Sequence, residues 1–345
     1  VARWLGAGFL LSNNVVTMTQ PRLSIVMCTY NGAIHLQPQL DSLLIQTCLP
    51  DEIVISDDGS SDASMDMLQA FAEQARHLGV EIRLLQNAQN IGCVENFSLA
   101  MRQASGDVLF LCDQDDVWRI DKLALMAARF SSDPSLLLLH TDARLVDAKG
   151  VSLPYSLFDA LQMTPEDKQA IHSGRAFEVA LRRSFATGAT TALRRELVEM
   201  ALPVAQGWIH DEWLTAVVAA SGRMDFIDEP LIDYRQHAGN QIGMRKRNLV
   251  KKWHDLVRSR GRLLRAEAKR LRRLERFLAK DGSDVGGERA AQVRHKRAHV
   301  ERRVAIGRLP RCQRVLPILR EVRAGLYRTY GVDGRSALRD MLRRG

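Results

Sequence analysis

Phe110-Leu-Cys-Asp113-Gln-Asp115-Asp116-Val-Trp118 is an apolar run that stops abruptly in three carboxylates within four positions. In a β-strand alternate residues share a face, so Asp113 and Asp115 are expected to project together, with Asp116 opening whatever follows. Like charges this close repel and raise one another's pKa. A divalent cation relieves that cost, and hard oxygen ligands suit Mg²⁺ or Mn²⁺, ions that also bind phosphates. The stretch therefore reads as a metal–diphosphate site at the end of a buried strand. Taken alone, it reads more readily as an acidic loop capping the next helix.

Outward from this stretch, short apolar runs alternate with helical patterns. Leu23–Met27 ends in Cys28-Thr29-Tyr30-Asn31-Gly32 and precedes leucines at helical spacing, Leu36, Leu40, Leu43 and Leu44, with Pro38 tolerable only in a first turn. Glu52–Ser56 stops at Asp57-Asp58-Gly59-Ser60-Ser61-Asp62, where Ser60 or Ser61 can cap a helix carrying Met65, Leu68, Phe71 and Ala75. Ile82–Leu85 supplies a third strand, Asn90-Ile91-Gly92 a turn, and Val94–Ala104 a helix leading to the strand Val108–Cys112. A helix over Trp118–Phe130 and a strand over Leu136–Leu139 are expected next. Gly150–Ala186 reads as an irregular acceptor region, and Thr187–Thr191 precedes an arginine-bearing helix. Trp208-Ile-His210-Asp211-Glu212-Trp213 opens the helix Leu214–Ala220, and a last strand around Phe226–Tyr234 runs into Arg235-Gln-His237. The alternation predicts an α/β fold with a mostly parallel sheet covered by helices on both faces. In such sheets ligands sit beyond the carboxyl ends of the strands, so Tyr30-Asn31, Asp57-Asp58 and Asp113-Gln114-Asp115 should meet at one crevice.

The 345 residues are 46% apolar, enough to fill a core and unlike a disordered or fibrous chain. The five cysteines have neither paired nor metal-ligand spacing, which fits reduced thiols in a cytosolic protein. The net charge of +9 conceals a division. From Arg245 onward there are 31 Lys and Arg against 10 Asp and Glu, leaving 18 against 30 of the totals of 49 and 40 for residues 1–244. Such asymmetry marks two regions with different partners. Residues 1–20 read as a leader, unstructured or over-extended at the translation start; Trp4–Leu11, about eight apolar residues, is too short to span a bilayer. Residues 21–244 form the expected catalytic domain and 245–345 a basic helical region.

Thr29-Tyr30-Asn31-Gly32, Asp57-Asp58-Gly59-Ser60-Ser61-Asp62, Asn90-Ile91-Gly92, Asp113-Gln114-Asp115-Asp116-Val-Trp118 and His210-Asp211-Glu212-Trp213, in this order, resemble the family 2 inverting glycosyltransferases with the GT-A fold. The resemblance covers about residues 22–243. The Asp-Gln-Asp-Asp-hydrophobic-Trp form, with Tyr234-Arg-Gln-His237-Ala-Gly-Asn240-Gln-Ile-Gly243, looks most like a rhamnosyltransferase-like branch that builds bacterial surface polysaccharides. That implies dTDP-L-rhamnose as donor and a saccharide or lipid-linked saccharide as acceptor.

Carried over by this resemblance, Thr29, Tyr30 and Asn31, with Asn90, Gly92 and Gln114, lie against the nucleotide sugar. Asp58 or Asp57 accepts hydrogen bonds from the base; either also serves as a turn and helix cap. Asp113 faces the ribose or a metal-bound water, and Asp115 holds Mg²⁺ or Mn²⁺. Asp116 is either a helix cap or a ligand. His237 is a candidate ligand on the second side, and Arg235 meets a phosphate oxygen. Asp211 stands where the family carries its general base, its alternative role being a helix cap, and Trp118, Trp208 and Trp213 are placed to stack on acceptor sugars. The Gln-x-x-Arg-Trp signature of processive relatives is absent, implying transfer of single sugars.

The basic helices of residues 245–345 can lie on an anionic bilayer, each cation near the surface adding roughly 1 kcal/mol; equally, they can pack on the catalytic domain with solvated charges. Together these readings place the protein in the cytoplasm, peripheral to the inner face of the membrane. No aromatic–basic readout motif points to nucleic acid. Two other classes fit the residues less well. A nucleotidyltransferase calls for a basic glycine-rich loop after the first strand, and Cys28–Ala33 contains no Lys or Arg. A receiver-like Mg²⁺-binding signalling module leaves His210-Asp211 unexplained.

Overall fold

A computed structural model describes residues 20–237, 260–280, 284–331 and 335–343. The leader, the loop around Asn240, and Trp253 and Leu256 lie outside the described residues. The chain begins with β1 (Leu23–Thr29), α1 (Ala33–Leu44), β2 (Glu52–Asp57), α2 (Ser64–His77), β3 (Glu81–Gln86), α3 (Cys93–Gln103) and β4 (Val108–Cys112). β1, β2 and β4 are buried almost throughout, as expected for strands covered on both faces, and β3-β2-β1-β4 pair in parallel. Pro38 lies beyond the first turn of α1 without ending it.

After β4 the topology departs from simple alternation. Val117–Trp118 is a short strand, β5, so α4 starts only at Lys122 (Lys122–Ser132) and Asp116 caps no helix. β6 runs from Leu136 to Asp147, well past the four apolar residues that signal it, because its second half pairs with β9 (Arg223–Gln236). The segment read as irregular folds into β7 (Ser152–Ser156), α5 (Leu157–Ala160), α6 (Pro165–His172) and α7 (Ala176–Ala180). Ser156 and Thr164 each form a reciprocal capping box, with Asp159 and Asp167. Thr191–Arg194 is an unanticipated strand, β8, inserted antiparallel between β4 and β6; it leads into α8 (Arg195–Ala201) and then α9 (His210–Ser221). The described sheet has nine strands in the order β3-β2-β1-β4-β8-β6-β9-β5, with β7 paired to β6. Helices pack on it to form two apolar clusters, one containing Val26, Val54 and Leu111 and the other Ile25, Ile55 and Phe110, as side chains of alternate faces must.

The basic region forms α10 (Gly261–Leu278), α11 (Asp284–Arg308), α12 (Arg311–Arg323), α13 (Leu326–Tyr330) and α14 (Ser336–Leu342). Leu264, Leu271, Leu274 and Leu278 of α10 and Val293 and Val300 of α11 are buried in the same cluster as Trp213 of α9. Leu263, expected on that stripe, faces outward at 64% exposure. Pro310 caps α12, while Pro317 sits inside it rather than interrupting it.

Candidate functional site

Beyond the carboxyl ends of β1, β2 and β4 lies a cavity of 430 Å³. Thr29 and Tyr30 reach it from β1, Asp58 from the turn after β2, Asn90 and Gly92 from the turn before α3, and Asp113, Gln114 and Asp115 from the loop after β4. Its far wall is Thr187-Gly188 and His210-Asp211, with Tyr234 and His237 from β9 and its end. The three polar clusters do converge on one crevice.

Local hydrogen bonding separates lining residues from scaffold. Asp57 is buried and spent on the turn: it accepts from Thr29 Oγ1 at 2.8 Å and from Ser60 N and Oγ at 2.8 and 2.6 Å. Asp58 is the member of the pair that borders the cavity. Its carboxylate accepts from Ile91 N, Gly92 N and Asn87 Nδ2 at 2.8–2.9 Å, tying the Asn90 turn to β2. Gly92 has φ +90°, a conformation that L side chains rarely adopt. Asn31, itself left-handed at φ 46°, accepts from Ser61 N and shapes the β1 loop without lining the cavity. Gln114 grips that loop from the other side, its Oε1 accepting from Tyr30 N at 2.8 Å and its Nε2 donating to Tyr30 O at 3.2 Å. A Cβ on Gly32 would meet Gln114 Oε1 at 2.2 Å, so glycine is required for the grip.

Ligand oxygens of Asp113, Asp115 and Asp116 lie within 4.8 Å of one another. Burial, then the charges of Asp115 and Asp211, push the Asp113 carboxyl up to about 7, and burial with the charges of Asp115 and Asp113 raises Asp116 well above the usual carboxylate range. Asp116 Oδ1 accepts from Arg235 N at 3.0 Å, but its Oδ2 is fully buried with no hydrogen-bond partner. A buried acceptor of this kind is costly unless something fills it. The three-oxygen set and the orphaned oxygen fit a hard divalent cation, which makes Asp116 a stronger candidate ligand than a cap.

The pairing of β5 with β9 (Val117 with Asp233, Trp118 with Ile232) brings the end of β9 beside this loop. Arg235 is consumed there: its Nε donates to Asp115 O at 2.9 Å and its Nη1 to Ala148 O at 3.3 Å. It fastens the acidic loop and, contrary to expectation, does not border the cavity. His237 does border it, with Nε2 2.7 Å from Asp115 Oδ2. Beneath the loop, Lys122 is buried, its Nζ donating to Ala189 O at 3.0 Å and lying 3.6 Å from the centre of the Trp118 ring. Burial lowers its pKa to about 7 against the pull of the nearby acids. A lysine in a helical pattern gave no hint of this role.

Asp211 is in the first turn of α9, where the helix N-terminus favours a carboxylate; Ile209, not Asp211, is the cap. Its Oδ2 accepts from Gly188 N at 3.0 Å and its Oδ1 from Glu212 N at 2.6 Å. His210 was not anticipated as a site residue. It borders the cavity, is 95% buried, stacks on Phe97 at 4.2 Å, and neither ring nitrogen has a hydrogen-bond partner. Burial lowers its pKa and keeps the imidazole neutral. Its adjacency to Asp211 was the only signal.

The tryptophans are corrected. Trp118 and Trp213 are 3% and 1% exposed, and Trp213 Nε1 donates to Ala201 O at 2.7 Å, so neither offers a face to a sugar. Trp208 lies outside the cavity, covered by the Arg270 guanidinium at 4.1 Å. Arg270 also pairs with Glu212, which locks α10 onto the helix that carries Asp211.

The sequence profile described as Glycosyl transferase family 2 matches residues 24–200. An uncharacterized glycosyltransferase of Nostoc sp. is 28% identical over 225 residues, covering 64% of this chain and 66% of its own. An uncharacterized protein of Mycobacterium bovis is 26% identical over 218 residues, covering 63% and 59% respectively. The chain thus spans less than two thirds of the length of these relatives. Among solved structures, S. aureus TarS 1-349 in complex with UDP-GlcNAc superposes with a TM-score of 0.53 at 17% identity, over 90% of this chain and 89% of that one, a likeness of fold.

Proposed function

Because the chain belongs to glycosyl transferase family 2, we propose that it moves one sugar from a nucleoside-diphosphate sugar to a hydroxyl of a saccharide or lipid-linked saccharide acceptor, with inversion. The observation that carries this reading is the meeting, in one 430 Å³ cavity, of Asp58, the Asp113–Asp115 loop and an oriented Asp211. The Asp58 end suits a base and ribose, the acidic loop a diphosphate, and the Asp211 wall an attacking hydroxyl.

Asp211 accepts the proton of the acceptor hydroxyl as that oxygen attacks the anomeric carbon. The glycosidic C–O bond to the diphosphate breaks on the opposite face, and the nucleoside diphosphate leaves with the bonding pair. Two backbone N–H groups, of Gly188 and Glu212, fix the orientation of the base, which is how a positioned carboxylate contributes about 10²–10⁴-fold. His210, buried beside it and stacked on Phe97, packs the wall that carries Asp211. A divalent cation, Mg²⁺ or Mn²⁺, held by Asp113, Asp115 and Asp116 would supply Lewis-acid neutralisation of the leaving diphosphate. His237 holds the Asp115 carboxylate, and Lys122 lies beneath the loop near enough for Asp116 and Asp113 to act on its charge. The family resemblance of the Asp113–Trp118 motif favours dTDP-L-rhamnose as donor and a place in bacterial surface polysaccharide synthesis. The free thiols fit a reducing cytoplasm.

The test is a panel of nucleotide sugars, dTDP-rhamnose, UDP-GlcNAc and GDP-mannose among them, screened with Mg²⁺ and Mn²⁺ for thermal stabilisation and for release of nucleoside diphosphate. Metal-dependent stabilisation and turnover by one donor is expected. Consumption of a nucleoside triphosphate with a sugar phosphate, and of no nucleotide sugar, would replace this reading with nucleotidyl transfer.

A further inference from the structure

The far end of the basic region carries a surface that the transfer reaction does not use. On α12, Val315, Leu319 and Val322 follow one another at i, i+4 and i+7 with Leu316 beside them, and they are 44%, 43%, 45% and 57% exposed. Side chains at this spacing form one stripe. The adjoining face is anchored: Arg314, Ile318 and Glu321 are buried, and Ile318 packs with Ile306 and Tyr327 in a small core of its own. The stripe is therefore held outward by a folded element rather than by a frayed one.

Its electrostatic frame has one sign. Arg311, Arg320 and Arg323 of α12 are exposed, as are Arg308, Arg328 and Arg335 in the neighbouring segments. Among the described residues from Arg302 to Arg343 the only acids are Glu321 and Asp340, and both are buried. Glu321 accepts from His299 and Arg302, Asp340 from Arg303 and Tyr327, so their charges are turned inward. An aliphatic stripe rimmed by arginines, with no exposed acid among the described residues of this stretch, is the composition of a helix that lies in the plane of a membrane interface. Arginine stems can cover apolar surface while the guanidinium meets a lipid phosphate.

We propose that α12 docks the protein on an anionic lipid bilayer, with Val315, Leu316, Leu319 and Val322 entering the headgroup–acyl boundary and the surrounding arginines meeting anionic headgroups. A second copy of the chain fits less well, because two arginine rims would be brought into repulsion. A nucleic acid would leave the aliphatic stripe idle, since single strands are held by aromatic stacking and duplexes by phosphate contacts. The proposal stands on the α12 surface alone and survives or fails independently of the transfer chemistry. No described helix is long and apolar enough to cross a membrane.

The experiment is co-sedimentation of the full chain with vesicles of phosphatidylglycerol and phosphatidylcholine, against vesicles of phosphatidylcholine alone, at low and high salt. Three proteins are compared: wild type, Leu316→Asp with Leu319→Asp, and Arg311→Glu with Arg320→Glu and Arg323→Glu. Val151→Asp, exposed on the catalytic domain, is the control. Wild type and control should pellet with anionic vesicles, less so in high salt, and each α12 variant should bind at least about tenfold more weakly. Circular dichroism melts and light scattering accompany each protein. Equal pelleting of the leucine variant, or equal binding of wild type to neutral vesicles, would overturn the proposal. So would a wild-type dimer that the leucine variant dissolves without any wild-type vesicle binding, which would assign the face to a second copy. Retained RNA binding in place of vesicle binding would likewise overturn it.

Discussion

Asp113→Asn should make the metal-free protein more stable, and only at high pH. In the fold the Asp113 carboxyl sits at about 7 against an ordinary value of 3.8. Roughly three units at about 1.36 kcal/mol each amount to about 4 kcal/mol charged against the folded state when the group is ionised. Because the folded pKa lies above the unfolded one, the penalty is absent below pH 3.8, grows as the pH rises, and is complete once the pH passes about 7. Asparagine never ionises, so the variant should gain about 2–4 kcal/mol at pH 8 and little at pH 4. Urea unfolding in EDTA at the two pH values measures this directly. Adding Mg²⁺ or Mn²⁺ at pH 8 should then stabilise wild type more than the variant and narrow that gap, since saturation to 100 times Kd contributes about 2.7 kcal/mol to the protein that retains the ligand. A variant no more stable than wild type at pH 8 in EDTA, or a gap of equal size at both pH values, would refute the view of the acidic loop as a strained cation cradle.

Further outcomes follow from the same geometry. Asp211→Asn should lower transfer by about 10²–10⁴-fold while leaving nucleotide-sugar affinity unchanged in calorimetry, and near-normal turnover would remove it as the base. Asp58→Ala orphans Ile91 N, Gly92 N and Asn87 Nδ2; it should cost about 2–3 kcal/mol in urea unfolding and weaken donor binding, whereas Asp58→Asn, retaining one acceptor oxygen, should lose less on both counts. His140 is buried among Phe158, Phe185 and Phe226, and burial lowers its pKa to about 3, with Asp225 pulling it up and His172 pushing it down. Its folded pKa lies below the ordinary 6.5, so its contribution is full above pH 6.5 and is lost as the pH falls toward 3. At pH 4 the loss is about 3 kcal/mol, and His140→Leu should flatten that acid limb of Tm against pH; an unchanged limb would show that other groups govern it.

Some of this molecule is written locally and some is not. The parallel half of the sheet was readable because β1, β2 and β4 are continuous apolar runs ending in polar turns, and the sheet rule then brought Tyr30, Asp58 and Asp113 to one edge. Three kinds of information were not readable. β8 has only four residues, Thr191–Arg194, and is a strand because β4 and β6 flank it on both sides. The segment from Gly150 to Ala186 looked irregular because its helices are short and defined by caps rather than by long periodicity. The tryptophans were assigned to sugars by residue type, yet aromatic rings beside a helix start are as useful to a core, and Trp213 went there.

The sequence by itself determined which groups could do the chemistry, because residue type and position at strand ends are local properties. Only the tertiary structure decided their division of labour. Burial left Asp116 with an unsatisfied oxygen and made it a candidate ligand, while the β5–β9 pairing spent Arg235 on the loop and His237 on Asp115. The insertion of β8 set Gly188 beside Asp211 and fixed its carboxylate. Those outcomes depend on which backbone groups and charges meet across 23 to 122 residues of chain, and on how much water each site excludes, neither of which a local pattern encodes.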